Sequence, residues 1–108
     1  MSHDVAVAAF EKLYAALAEA DVRVQRRVTI LSKWQALTDN EAKRLLVKIA
    51  CEELGRCQTA RAQILQKIKE AEIAEAQQLL AAAESPYVRA ALITEIERLH
   101  GQLALIAG

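Results

Sequence analysis

Apolar residues recur at alternating steps of three and four along the first third of the chain, in a segment from Asp4 to Leu37 without Gly or Pro. This 3.5-residue period is the seam of a helix that packs in the manner of a coiled coil. A strand would need apolar and polar residues to alternate, which this segment does not sustain. The a and d positions are Phe10, Leu13, Leu17, Ala20, Val24, Arg27, Leu31 and Trp34, with Arg27 as the one charged member.

Two further helical segments follow the first. Thr38 and Glu41 have the spacing of a capping box, so we expect a second helix to begin there with Thr38 as its N-cap. Ser85 and Pro86 then suit the N-cap and first turn of a third helix that ends near Ala107. The apolar stripe of the second helix is expected to run through Leu46, Ile49, Leu54, Cys57, Ile64, Ile68, Ala71 and Leu79.

The composition agrees with helices throughout. Ala, Leu, Glu, Arg and Lys supply 61 of the 108 residues, and the chain has only 3 Gly and 1 Pro. A content above about 50% of these five types is typical of long helices and coiled coils. We therefore predict one all-α domain, residues 1–108, built as an elongated antiparallel helical hairpin with a C-terminal third helix. A break at Gly55 would instead give four helices that close into a bundle.

The charges are segregated although their sum is zero. Residues 1–21 carry a net charge of −3, residues 22–69 carry +7, and residues 70–108 carry −4. The basic segment 22–69 indicates an alternative function, association with nucleic acid through phosphate contacts. The chain lacks a helix-turn-helix signature, and its pI is near 6.7, so we rank nucleic acid below protein partners. The candidate phosphate contacts are Arg23, Arg26, Lys43, Arg44 and Lys48.

No constellation in the sequence indicates catalysis. Glu97 and His100 have the spacing of one half of a di-iron site, but the only other histidine is His3. Cys51 and Cys57 lie about 9 Å apart along a helix, too far to pair, so we expect reduced and mostly buried thiols. We predict no catalytic residues, no metal site and no cofactor.

The sequence also lacks the marks of membrane insertion. The longest stretch without a charge, such as Gly101 to Gly108, is far shorter than the ~20 residues that span a bilayer. The N-terminus has neither a basic nor a clean apolar region, so no signal peptide is expected. We predict no insertion into a membrane and a location in the cytoplasm.

The unequal lengths of the segments point to a function. At 1.5 Å per residue the helices would be roughly 50, 70 and 33 Å long, and all three would overlap only near residues 63–72. Elsewhere two helices face each other with half-covered seams, so we expect another chain to complete the core. The expected function is a small protein–protein interaction module that acts by helix packing and binds itself, another protein, or both.

The expected interaction surface is the seam of the first helix. A charge at a d position must find an acidic partner or snorkel to water, and we consider five acidic residues as partners of Arg27. These are Glu19, Asp21, Glu70, Glu72 and Glu75. The expected interaction residues are Phe10, Leu13, Leu17, Val24, Arg27, Leu31 and Trp34.

Overall fold

The computed structural model describes residues 3–107, with side chains from Val5 onward. In that range the chain forms three α-helices and no strand. They are α1 (His3–Gln35), α2 (Glu41–Ala82) and α3 (Pro86–Ala107). The predicted all-α class is therefore confirmed, and so are its three segments.

Helix α2 is the central helix of the molecule. Both α1 and α3 pack against α2, whereas α1 and α3 make no close backbone approach to each other in the described residues. The Cα atoms extend over 67 × 26 × 14 Å. Their radius of gyration is 19.9 Å, against about 13 Å for a compact domain of this length. The predicted elongated hairpin with a third helix is confirmed.

Gly55 does not break α2. The helix runs unbroken from Glu41 to Ala82, so the four-helix alternative is wrong. A Cβ added at Gly55 would meet no atom within 4 Å. The glycine thus costs only its helix propensity, about 1 kcal/mol, which a long packed helix tolerates.

The predicted seam of α1 is its packing edge. Ala20 is 3% exposed, and the other seven seam positions are half-buried. Because α1 packs against no other helix in the described chain, α2 supplies this cover. The seam of α1 therefore packs against a helix of the same chain.

Burial on α2 follows one stripe in its first half and two stripes after residue 60. At about 100° per residue, the second stripe lies about 100° around the helix from the first. The first stripe faces α1 along its length, and the second begins where α3 comes alongside. The first stripe includes Leu46, Ala50, Leu54, Cys57, Arg61, Ile64, Ile68 and Ala71, and the second includes Ala62, Leu65, Lys69, Ile73, Ala76 and Leu80.

Two residues of the expected α2 stripe lie outside it. Ile49 is 47% exposed and Leu79 is 54% exposed, and Ala50, at 5%, takes the buried position beside Ile49. The physical reason is the period at which buried positions repeat along α2. Helix α2 packs along the 3.5-residue seam of α1, and a matching 3.5-residue stripe on α2 passes through Ala50 rather than Ile49.

The core is small. In the described chain the buried apolar residues comprise three alanines and three larger side chains, and only Ile68 and Leu99 among large side chains are fully buried, each 2% exposed. Alanines bring helices close together but bury little area. The full set is Ala20, Ala50, Ile68, Ile73, Ala76 and Leu99.

The N-cap of α2 differs from the prediction. Asn40, not Thr38, caps the helix, because its side-chain oxygen accepts a 2.8 Å hydrogen bond from the backbone N–H of Lys43. Asn is the stronger N-cap of the two. Glu41 is the first helical residue instead of the third, so the predicted capping box does not form.

The corner between α2 and α3 is held by polar groups from α3. The predicted cap Ser85 accepts at 3.5 Å from the N–H of Val88. The Arg89 guanidinium donates to the carbonyls of Leu80 and Ala83, at 2.8 and 3.0 Å. A cation at the carboxyl end of α2 satisfies orphan carbonyls and complements the helix dipole.

Replacing the observed cap should weaken the fold. We expect Asn40→Ala to lower the free energy of unfolding by about 1 kcal/mol, because the N–H of Lys43 loses its acceptor. Urea denaturation followed by circular dichroism measures the change. The matched control is Thr38→Ala, which should leave the midpoint unchanged. The reverse order of the two effects would restore Thr38 as the cap.

Candidate interaction surfaces

The seam predicted to bind a partner lies between α1 and α2 of the same chain. Phe10, Leu13, Leu17, Val24, Arg27, Leu31 and Trp34 are all half-buried there. The charge of Arg27 acts on Glu53 of α2, which is none of the five acidic residues considered as its partner. The pKa of Glu53 is lowered by a hydrogen bond from Arg56 and by the charges of Arg56 and Arg27. The seam is therefore partly covered by α2 of the same chain, and whether it also binds a partner stays a prediction.

The candidate phosphate contacts do not form one free basic face. Arg23 pairs with Glu19 at 3.8 Å, on α1 itself. Arg44 holds Asp39 through two bonds, Nε to Oδ1 at 3.2 Å and a second guanidinium nitrogen to Oδ2 at 3.3 Å. Two of the five cations are thus already engaged.

The other three candidates differ in exposure. Arg26 and Lys48 are exposed and form no ion pair within the described residues. Lys43 is half-buried at the start of α2. The free positive charge is therefore smaller than the sequence suggests.

Three arginines meet in a shallow depression between α1 and α2. Arg23, Arg26 and Arg27 line it together with Ile30 and Cys57, and its volume is about 280 Å³. Arg27 and Cys57 are half-buried, whereas Arg23 and Arg26 are exposed. The arginines were visible in the sequence, but their meeting with Cys57 depends on the register of the hairpin.

The cysteines are more exposed than predicted. Both are free thiols, with Cys51 exposed and Cys57 half-buried. Cys51 lies outside the stripe that faces α1, which explains why the expected burial is wrong there.

An apolar patch covers the end of the hairpin where α1 turns into α2. Leu37, Leu45 and Ile49 are 45%, 59% and 47% exposed, and we call these three residues the tip patch. Leu45 and Ile49 are four residues apart on one face of α2. The i+4 row that contains them continues to Glu53 and Cys57, so the tip patch adjoins the arginine depression. Sequence reasoning missed it because Ile49 was assigned to the buried stripe.

Further exposed apolar side chains lie near the end of α2 and along α3. Leu79 is 54% exposed near the end of α2. On α3, Tyr87, Ile93 and Leu105 are 88%, 45% and 84% exposed. Large apolar side chains exposed in groups mark interaction surfaces more often than single ones do.

Two ion pairs, one on α2 and one on α3, lie close enough to influence each other where the two helices pack. Lys69 and Glu72 of α2 form a 3.5 Å ion pair whose side chains are only 22% and 24% exposed. Glu95 and Arg98 form the corresponding pair on α3. A hydrogen bond from Arg98, with the charges of Arg98 and Lys69, lowers the pKa of Glu95. The pKa of Arg98 is raised by Glu95 and, more weakly, by Glu72. Each charge on α2 thus attracts the opposite charge on α3.

The Glu97–His100 motif and the apolar content of the helices bear on two further features, a metal site and a membrane-spanning helix. Glu97 and His100 are both exposed on α3, and the described residues contain no group of three metal-ligating side chains. Within residues 3–107, no helix combines the length and apolar character that crossing a bilayer requires.

Comparison with known protein families, curated protein sequences and solved structures finds no match.

The lowered pKa of Glu95 predicts a loss of stability in acid. A depressed carboxyl pKa adds stability above the ordinary value of 4.5, and this stability is lost as the pH falls through the lowered value. We expect Glu95→Gln to destabilise the chain at neutral pH and to lose less stability than the wild type between about pH 5 and pH 3. Thermal unfolding across this range measures both slopes.

The matched control for this experiment is Glu11→Gln. Glu11 lies on α1, is exposed and forms no ion pair in the described chain. Its variant should follow the wild-type slope. Parallel slopes for wild type and Glu95→Gln would show that the four-charge cluster does not stabilise the α2–α3 contact.

Proposed function

We propose that this chain is a small helical protein–protein interaction module that acts by helix–helix packing, as an adapter, an assembly or secretion chaperone, or a small subunit of a larger complex. The proposed role is structural and uses no catalytic group. The observation that carries it is the exposed area. The chain exposes 7785 Å², whereas a compact monomer of 11.9 kDa exposes about 5,900 Å².

The excess area matches the size of a protein interface. It amounts to about 1,800 Å², within the range that each chain of an obligate complex buries, about 1,000–2,500 Å². A free chain gains little stability from its core, since half of the buried apolar residues in the part of the chain that the structure describes are alanines. Packing against another chain would add the missing apolar burial at about 25 cal/mol per Å².

The proposed contact surfaces are the exposed apolar groups, not the seam of α1. The tip patch offers three large aliphatic side chains without a neighbour from their own chain to cover them. Free thiols at Cys51 and Cys57 support a location in the cytoplasm, where thiols stay reduced.

The mass of the native species tests this proposal. Isolated from its source under native conditions, the protein should have a mass well above the 11.9 kDa of one chain. The double variant Leu45→Glu/Ile49→Glu should return it to 11.9 kDa and keep its helix content, because both side chains are already exposed.

A control variant separates a lost contact from added charge. Gln58→Glu places one negative charge at an exposed position of the same helix, away from the tip patch, and should leave the native mass unchanged. A wild-type native mass of 11.9 kDa would contradict the proposed function.

Association with nucleic acid is the second candidate, and the arginine depression is the observation that favours it. Arg23, Arg26 and Arg27 gather guanidinium groups that suit phosphates. Two observations weigh against it: Arg23 pairs with Glu19, and Arg44, another candidate phosphate contact, is held by Asp39.

We expect no complex with duplex or single-stranded nucleic acid near physiological salt. Fluorescence anisotropy with labelled oligonucleotides over a salt series measures binding. A micromolar complex whose affinity falls linearly with salt on logarithmic axes would favour the second candidate, since that slope reports counterion release. The variant Arg26→Ala should then reduce the slope by about one.

A further inference from the structure

The fold turns the segregated charges of the sequence into a polarised rod. The hairpin places residues 22–60 at one end, with Asp21 paired to Arg61 at the boundary. This tip end carries a net charge of +4, and the remainder, residues 1–21 and 61–108, carries −4. A chain with no net charge thus has a basic end and an acidic end.

Part of the charge at each end is unpaired. Arg26, Lys33 and Lys48 at the tip end are exposed and form no ion pair among the described residues. Glu84 and Glu97 are exposed and equally unpaired at the acidic end.

Glu41 and Glu52 at the tip end, and Lys12 and Lys67 at the acidic end, are also exposed and without an ion pair in the described chain. The two ends therefore complement each other in net charge, +4 against −4, and not charge by charge.

Both ends also expose apolar side chains. The tip patch of Leu37, Leu45 and Ile49 belongs to the basic end. Tyr87 and Ile93, in the first half of α3, belong to the acidic end. A surface that combines apolar area with one sign of charge fits a partner that combines apolar area with the opposite sign.

We propose that the partner is a second copy of this chain, laid antiparallel along the first so that the basic tip of each copy meets the acidic end of the other. This inference rests on the proposed function and names its partner. The arrangement has two-fold symmetry and makes two equal contacts, so it closes after two chains.

The area favours a lateral contact over an end-to-end one. Across the rod the Cα atoms span only 26 × 14 Å, so a contact through the ends is small. A lateral contact uses the 67 Å length of the rod. Only the lateral contact is large enough to bury the excess of about 1,800 Å².

Distances between labels test the antiparallel order. Residues 38 and 84 flank α2, whose 42 residues make a helix about 63 Å long. We place single spin labels by Thr38→Cys or Glu84→Cys in a Cys51→Ser/Cys57→Ser background and measure pulsed dipolar spectra. Circular dichroism confirms that each labelled chain keeps its helices.

The antiparallel dimer predicts two different results. Two Thr38→Cys chains should give a long distance, comparable to the length of α2. A mixture of Thr38→Cys and Glu84→Cys chains should add a distance shorter than half that length. A short distance between two Thr38→Cys labels would show a parallel dimer and overturn the inference.

Exchange of charges tests the inference with the native cysteines in place. Arg26→Glu/Lys48→Glu should weaken dimerisation by about tenfold or more in sedimentation equilibrium, because it sets negative charge against Glu84 and Glu97 of the second copy. Adding Glu84→Lys/Glu97→Lys to the same chain should restore the dimer.

Three outcomes overturn the inference: a purified chain that stays monomeric at high micromolar concentration, a mass that grows without limit, and a charge exchange without rescue. The mass of the native species distinguishes this failure from that of the proposed function. A purified monomer combined with a heavy native species would refute the second copy and leave the interaction module standing. A native mass of 11.9 kDa would refute both.

Discussion

The structure depends on one uninterrupted helix. Helix α2 is longer than either neighbour, and α1 and α3 are held only by packing against it. Its two stripes lie about 100° apart around the helix, so the neighbours attach to different faces and do not close on each other. If α2 broke at Gly55, one chain would be able to fold into a closed bundle. Because it does not break, the molecule stays an open rod.

The rod-shaped chain exposes a large surface, and its small core buries little apolar area. Ala20 and Ala50 bring α1 and α2 together, and Ile68 and Leu99 supply the only fully buried large side chains in the described residues. Polar contacts help to fix α3, because the Arg89 guanidinium donates to the carbonyls of Leu80 and Ala83 at the end of α2. Partly exposed charge pairs set register well but add modest stability. The small core and the large exposed area are therefore the observations that support the proposed interaction module.

The fold was largely predictable from the sequence because its signals are local. Predicting the seam of α1 requires only the spacing of side chains along one helix. Pro86 predicts the start of α3, because its ring restricts the backbone to a conformation that suits the first turn of a helix. The wrong predictions were choices between residues that lie close together in the sequence. Asn40 and Thr38 both suit an N-cap, and Ile49 and Ala50 both suit a stripe until the period of the packing partner is known.

The candidate surfaces were less predictable because they depend on register between helices. Three features depend on the length of the hairpin turn and on the position of α3. They are the influence of Arg27 on Glu53, the meeting of three arginines with Cys57, and the second buried stripe of α2. No periodicity within one segment contains that information. Sequence reasoning therefore found the basic residues of the tip but missed the apolar patch beside them.

The charge distribution links the fold to its proposed partner. Collecting a charge of +4 at one end of a narrow rod costs free energy, because exposed like charges repel within a screening length of about 8 Å at physiological salt. Internal pairing relieves this cost only in part, since Arg26 and Lys48 have no acidic partner among the described residues. An antiparallel second copy brings opposite charge to both ends at once and covers the tip patch in the same step. The features that make the isolated chain unfavourable, its charge polarity and its open sides, are therefore the features that one contact satisfies together.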